Sequence, residues 1–321
     1  MQGLVAVFGG SGFLGAQVVR ALAKRGHRIR VAVRRPGHAY RMRMLGDVGQ
    51  IEIIQANVRA PQSVARALDG AQACVNLVGV LHEGGRQKFQ SIHAMGAQNV
   101  AEAAAAAGVT RLIQVSAIGA DADSNAKYAR TKALGEAAVL KAFPGATIVR
   151  PSIVFGQGDS FFNRFANMAT LSPVLPLIGG GATRFQPVFV GDVANALANA
   201  LADPATAGKV YELGGPGIFT FKALMELIVR ETGRRPILLP LPFPIAGLIG
   251  AAAELTSLVG IAPALTKDQV ELLKTDNVVS PGALGLKDLG VVPTSVEAIV
   301  PSYLFRYRRG GQYADALVSE S

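Results

Sequence analysis

Cysteine occurs once in the 321 residues, at Cys74. A lone cysteine excludes an internal disulfide framework, and the apolar neighbours Ala73 and Val75 mark it as a buried strand thiol in a chain suited to a reducing compartment. Histidine is scarce too. His27, His38, His82 and His93 share no metal-ligand spacing, so no metal site is expected. Also missing is any run of ~20 uninterrupted apolar residues, the length that a membrane-spanning helix needs. The nearest approach, residues 237–265, carries one charge, Glu254, but Pro240, Pro242, Pro244 and Pro263 interrupt it. They leave room for one helix of about four turns, expected over 244–260, that can lie on a membrane but not cross it. The first residues offer neither a leader with basic and apolar regions nor an Arg/Ser-rich presequence, and no export signal is read there.

Acidic side chains are short in one place. The net charge is +10, and residues 1–50 hold nine Lys/Arg against Asp47 alone. Nucleic acid is not the expected partner, because no stacking aromatics interleave with this basic cluster and no helix-turn-helix or zinc spacing accompanies it. A patch facing cofactor phosphates, anionic lipid or an acidic protein fits better.

What the chain does have is apolar content, half of its residues, enough for a large core without staples. Strand-like runs at 4–8, 28–33, 51–56, 73–79, 111–115 and 146–150 alternate with helical stretches such as 98–107 and 127–141. Alternation at this spacing predicts an α/β fold, a doubly wound parallel sheet of the Rossmann type. The order becomes irregular afterwards, which predicts a nucleotide-binding domain over 1–150, also receiving 185–215, and a smaller mixed domain over 151–321. Within the latter, Thr266 and Gln269 make a capping box before a short helix. Leu248, Ile249, Ala252, Leu255 and Val259 recur at helical spacing, either as a surface for a membrane or partner or as closure of the local core. Arg306, Arg308 and Arg309, interleaved with Tyr303, Phe305 and Tyr307, form a mix suited to a membrane interface or a protein partner. Asp192 reads as a helix cap.

Residues 9–15 read GGSGFLG. Gly10, Gly12 and Gly15 satisfy G-x-G-x-x-G, and Gly9, Gly12 and Gly15 satisfy G-x-x-G-x-x-G, with Ser11, Phe13 and Leu14 between them. The loop sits between the first strand and an amphipathic helix carrying Val18, Val19 and Leu22, the setting in which such glycines bring backbone donors and a helix N-terminus to a pyrophosphate. An NAD site would end the second strand on a carboxylate for the ribose. Here Arg34 and Arg35 stand there instead. A guanidinium repels no phosphate and pairs with it, so Arg34 predicts NADP(H). Arg35, Arg41 and Arg43 either add to this field or are solvated surface groups. Asn57, beside Val58 at the end of the third strand, is placed for the adenine, and Leu77, Val78 and Gly79 form the fourth-strand turn beneath the cofactor.

Tyr128 and Lys132 form Y-x-x-x-K on a helix, which puts both on one face. The lysine can lower the phenol's pKa and hold a nicotinamide ribose while the tyrosine serves as general acid. Together with the glycine loop these residues resemble the short-chain dehydrogenase/reductase superfamily, in its extended or atypical branch, over roughly residues 3–235. The resemblance implies a third catalytic hydroxyl just past the fifth strand, where this chain has Ser116. Extended members commonly use the next residue, here Ala117.

A narrower resemblance is carried by residues 127–168, by QPVFVGDVANAL at 186–197 and by PLPFP at 240–244. These look like the family of NADPH-binding accessory subunits of respiratory complex I. That resemblance implies tightly held NADPH without established turnover, on Gly9, Gly12, Gly15, Arg34, Asn57, Tyr128 and Lys132, with Pro151, Ser152 and Ile153 near the nicotinamide. It further implies a peripheral position on the cytoplasmic face of a bacterial inner membrane, against complex I core subunits near the quinone site and an anionic membrane surface. The intact Tyr128/Lys132 pair keeps a second reading open, a working NADP-dependent reductase or epimerase on a quinone- or lipid-like substrate.

Overall fold

In the computed structural model, residues 2–254 and 265–313 are described. They fold into two compact units, one comprising Met1–Pro151, Gly191–Leu213 and Ser280–Val292, the other Ser152–Val190, Gly214–Val279 and Pro293–Ser321.

The first unit is built on strands β1 (Gln2–Phe8), β2 (His27–Val33), β3 (Ile51–Gln55), β4 (Ala73–Asn76), β5 (Arg111–Val115) and β6 (Thr147–Pro151). A seventh strand, Val210–Leu213, joins them in the order Val210–Leu213, β6, β5, β4, β1, β2, β3, and every pairing is parallel. Parallel strands are covered on both faces, so they read as continuous apolar runs. All four residues of β4 are buried, Cys74 among them. The doubly wound sheet expected from the alternation is therefore present.

Helices α1 (Phe13–Lys24), α2 (Pro61–Leu68), α3 (Met95–Ala106) and α4 (Lys127–Ala142) make the crossovers. α1 buries Gly15, Val18, Val19, Leu22 and Ala23, the one-sided stripe that lets it lie on the sheet. The apolar layer under α2 and α3 is made largely of small residues, including Ala97, Ala101 and Ala104 with Val64, Val100 and Leu112. Small side chains allow α3 to pack closely. The strand order reverses between β1 and β4, since β1 continues to β2 on one side while β4 and β5 extend the other. Ligands of open α/β sheets bind outside the carboxyl ends of the strands at such a switch point. The loops there are residues 9–12 and 77–80.

The second unit has a phenylalanine-rich core in which Phe155, Phe162, Phe185 and Phe221 pack with Tyr303 and Leu304. Its helix Phe221–Thr232 is capped by Thr220 and ends at Gly233 in the left-handed region. The predicted capping box is formed, with the Thr266 hydroxyl accepting from Gln269 N–H. The apolar helix runs Phe243–Glu254; Leu255 and Val259 lie outside the described residues. It buries Ala246 and Gly250 and leaves Leu248 and Ile249 exposed, along with Ile237, Leu239 and Ile245. The aromatic-arginine run at the end is partly turned inward, while Arg306 and Arg309 stay exposed. Tyr303 is buried and donates to Asp159 Oδ2 at 2.6 Å. Arg306 bonds the Asn163 side chain, and Arg308 Nε donates to Glu231 O at 2.8 Å. Alternating sequence cannot show that these groups close their own domain. Among the described residues no helix is long and apolar enough to cross a membrane.

Candidate functional site

Gly9 follows β1 with φ of 79°, a conformation that favours glycine. Its carbonyl accepts from Gly12 N–H at 3.1 Å, closing the turn that launches α1. A Cβ on Gly15 would stand 2.3 Å from that same carbonyl and 2.7 Å from Gly10. Glycine at 15 is thus dictated by how near the helix lies to the loop. Gly12 is the N-cap of α1, and no side chain caps that helix. The first-turn amides beyond Gly12, with Ser11, Phe13 and Leu14 around them, remain available together with the positive end of the helix dipole. A cradle that a Cβ would fill and an uncapped helix start fit a dinucleotide pyrophosphate.

Arg34 and Arg35 directly follow β2, both exposed. No carboxylate among the described residues forms an ion pair with either. Arg34 O accepts from Gln55 Nε2 at 3.4 Å, which ties its backbone to β3 and leaves the guanidinium outward. Arg43 lies 5.4 Å from the Tyr40 ring, a local stacking contact. Asn57 stands two residues beyond β3. Its Oδ1 accepts from Arg59 N at 3.1 Å and Arg59 Nε at 3.4 Å, so its Nδ2 is the group that can donate to an adenine. Val58 is buried, and its carbonyl accepts from Asn99 Nδ2 at 2.8 Å.

The turn after β4 comes next. Leu77 N donates to Phe8 O at 3.0 Å and Val78 N to Asn76 Oδ1 at 3.2 Å. A Cβ on Gly79 would stand 3.4 Å from Lys132 Nζ. That lysine is buried on α4, 7% exposed, and Nζ donates to Val115 O at 3.4 Å. Burial lowers its pKa to about 8, opposed by the Glu136 carboxylate one turn away. Glu136 is itself held by Arg150, through Nε at 3.0 Å and Nη2 at 2.6 Å, and Arg150 reaches Glu212 at 3.4 Å. The Lys132 ammonium stands 5.8 Å from the centroid of the Tyr128 ring, so the pair shares a face as its spacing predicts. Ser116 lies just past β5 with a buried Oγ that has no hydrogen-bond partner among the described residues. Ala117 follows it. Pro151 ends β6 and its carbonyl accepts from Ile118 N at 3.1 Å. Ser152 and Ile153 belong to the second unit; the Ser152 hydroxyl donates to Asn277, 2.7 Å to Oδ1.

Residues 5–214 match the NAD dependent epimerase/dehydratase family. The chain belongs to that family. Within it the chain is 37% identical, over all of its own length and 82% of the relative, to the mitochondrial NADH dehydrogenase [ubiquinone] 1 alpha subcomplex subunit 9 of Arabidopsis thaliana. It is also 34% identical to a ceramide reductase of Caulobacter vibrioides, over 78% of this chain and 77% of that one. Among solved structures, the NADPH-dependent quinone oxidoreductase QOR2 of Escherichia coli, complexed with NADPH, superposes with a TM-score of 0.71. It covers 94% of this chain and 99% of that one at 23% identity, a likeness of fold. Membership of the epimerase/dehydratase family agrees with the resemblance drawn from the glycine loop and the Tyr128/Lys132 pair.

Sequence reasoning passed over His93, Glu136 and Arg150. Glu136 follows Lys132 by four residues, the one local signal that a carboxylate shares its helix face. His93 and Arg150 carry no such signal.

Proposed function

We propose that this chain holds NADP(H), as tightly bound NADPH, and serves as an accessory subunit that stabilises a bacterial respiratory complex I, an NADH:quinone oxidoreductase. Its place is the junction of peripheral and membrane arms, on the cytoplasmic face of the inner membrane, against core subunits near the quinone site. The observation that carries this reading is the whole-chain similarity to the plant subunit, 37% identity with no part of this chain left over. Exposed Leu248, Ile249, Ile245, Ile237 and Leu239 in the second unit support a face for subunits or lipid.

Within the site, the residue 9–15 loop and the start of α1 take the pyrophosphate, and Arg34 takes the 2′-phosphate in place of the acid that an NAD site would carry. Asn57 Nδ2 donates to the adenine. Lys132 Nζ donates to the nicotinamide ribose, with the Tyr128 ring beside it on the same helix face. NADPH, when bound, supplies reducing equivalents. The test is to tag the chain at its native locus, solubilise membranes gently and purify. Co-elution of NADH:quinone oxidoreductase activity with stoichiometric subunits and NADPH is expected; elution as a lone soluble chain would defeat the subunit reading.

A second reading, an NADP-dependent reductase on a quinone- or lipid-like substrate, is favoured by the Tyr128/Lys132 geometry and by the similarity to the Caulobacter reductase. It requires that the purified chain oxidise NADPH with a carbonyl substrate and that Tyr128→Phe abolish this turnover.

A further inference from the structure

His93 is 3% exposed and sits in a π-helical turn, Gln90–Ala94, that leads into α3. Such turns are rare and frequently mark functional positions. Its ring is enclosed on two sides, stacked on Phe89 at 5.2 Å and meeting the Tyr128 ring edge-on at 5.2 Å. Both ring nitrogens are used. Nε2 accepts from Val80 N–H at 3.0 Å, which places the remaining proton on Nδ1, and Nδ1–H donates to Thr131 Oγ at 3.2 Å. The Thr131 hydroxyl in turn donates a hydrogen bond to Lys127 O at 2.9 Å. Every donor in this chain points the same way, and only the neutral Nδ1–H form of His93 satisfies it. Protonating Nε2 would set two N–H groups against each other. Burial and the nearby Lys132 cation lower the histidine pKa to about 3, in line with a ring that stays neutral.

The backbone converges on the same residue. A Cβ on Gly79 would stand 3.6 Å from His93 Nε2, beside Lys132 Nζ, and a Cβ on Gly135 would stand 2.1 Å from His93 O. α4 therefore lies directly on the π-turn. Resting on the nucleotide-site reading above, we infer that His93 is a positioning residue. Its neutral imidazole clamps the turn after β4 to α4, which sets the gap between Gly79 and Lys132 and the edge-on pose of Tyr128 where the nicotinamide end of a nucleotide binds. The ring transfers no proton itself. It acts through the two elements that it joins.

The test uses the full chain in two measurements. In protein with nitrogen-labelled histidine, the ring assigned by its loss in His93→Gln should show the Nδ1–H tautomer and no titration between about pH 5 and pH 8. This readout needs no nucleotide, so it stands or falls apart from the nucleotide-site reading. The second is NADPH affinity by fluorescence titration. His93→Phe keeps the ring stack but loses both hydrogen bonds and should weaken NADPH about tenfold, the scale of one or two lost hydrogen bonds. His93→Gln retains an acceptor and a donor side by side and should recover most of that loss. An Nε2–H tautomer, or a ring that titrates in that window, would overturn the clamp. So would a His93→Phe chain that binds NADPH like the parent, or a His93→Gln chain no better than His93→Phe. If the parent binds no NADPH at all, the nucleotide reading fails while the tautomer still decides the clamp.

Discussion

Arg34 and Lys132, cations at the two ends of the proposed nucleotide site, live in opposite surroundings. Arg34 is exposed, and no carboxylate among the described residues pairs with it; what holds it in place is backbone, the end of β2 and a bond from Gln55 to its carbonyl. Lys132 is 7% exposed and sits within a web of side chains, with Glu136, Arg150, His93 and Tyr128 around it. On the proposed reading, selectivity at the adenine end rests on one exposed charge just past a strand end, and changing that charge should leave the fold intact. Orientation at the nicotinamide end then rests on a packed network in which each side chain restrains the next, so substitution there should disturb stability and binding together.

The sharpest break of this contrast is Arg34→Asp. It removes a charge-assisted contact to a 2′-phosphate, places a repelling carboxylate there and supplies an acceptor for a ribose hydroxyl. The NADPH-over-NADH preference should fall by about 100-fold or more, with melting temperature unchanged. Equal affinities before and after the change would show that Arg34 does not read the phosphate.

Lys132 sharpens the contrast from the other end through pH. Its folded pKa of about 8 lies below the ordinary 10.5. Between those values the unfolded lysine binds more protons than the native one, so the contribution of Lys132 to stability is flat below about pH 8 and rises with pH across that window, by about 3 kcal/mol or less. NADPH affinity should move oppositely, falling above about pH 8 as the Lys132 ammonium loses its proton. Denaturant unfolding of parent and Lys132→Met between about pH 7 and pH 10 checks this, the slope vanishing in the variant.

Much of this contrast is readable along the chain, but unevenly. The glycine loop, Arg34 and the Tyr128/Lys132 pair are each set by local spacing, and strand alternation orders the sheet that brings them to one edge. Beyond Glu136 on its own helix, the surroundings of Lys132 are not local. Arg150 and Glu212 come from β6 and the Val210–Leu213 strand, and only the parallel pairing of those two places Glu212 opposite Arg150. His93 shows no periodicity, because the π-turn that aims it into the site interrupts the helical repeat. Tyr303 misleads for the converse reason: an aromatic just ahead of an arginine-rich run reads as surface, and its partner Asp159 lies 144 residues away.

Ser116 offers the smallest effect and separates the two functional readings. A buried hydroxyl without a partner costs about 1–3 kcal/mol relative to one that is satisfied, and a native chain keeps such a group for a reason. If the site only stores NADPH, Ser116→Ala should leave its affinity unchanged and raise stability by up to about 1 kcal/mol, since removing an unpaired polar atom costs no hydrogen bond. If the site reduces a substrate, Ser116 Oγ is unpaired because its partner is the substrate carbonyl. Turnover of that substrate then drops while the stability gain persists. Equilibrium unfolding together with NADPH titration decides the first case. A loss of stability in Ser116→Ala would count against both, since it would mean that the hydroxyl already has a partner in the resting fold.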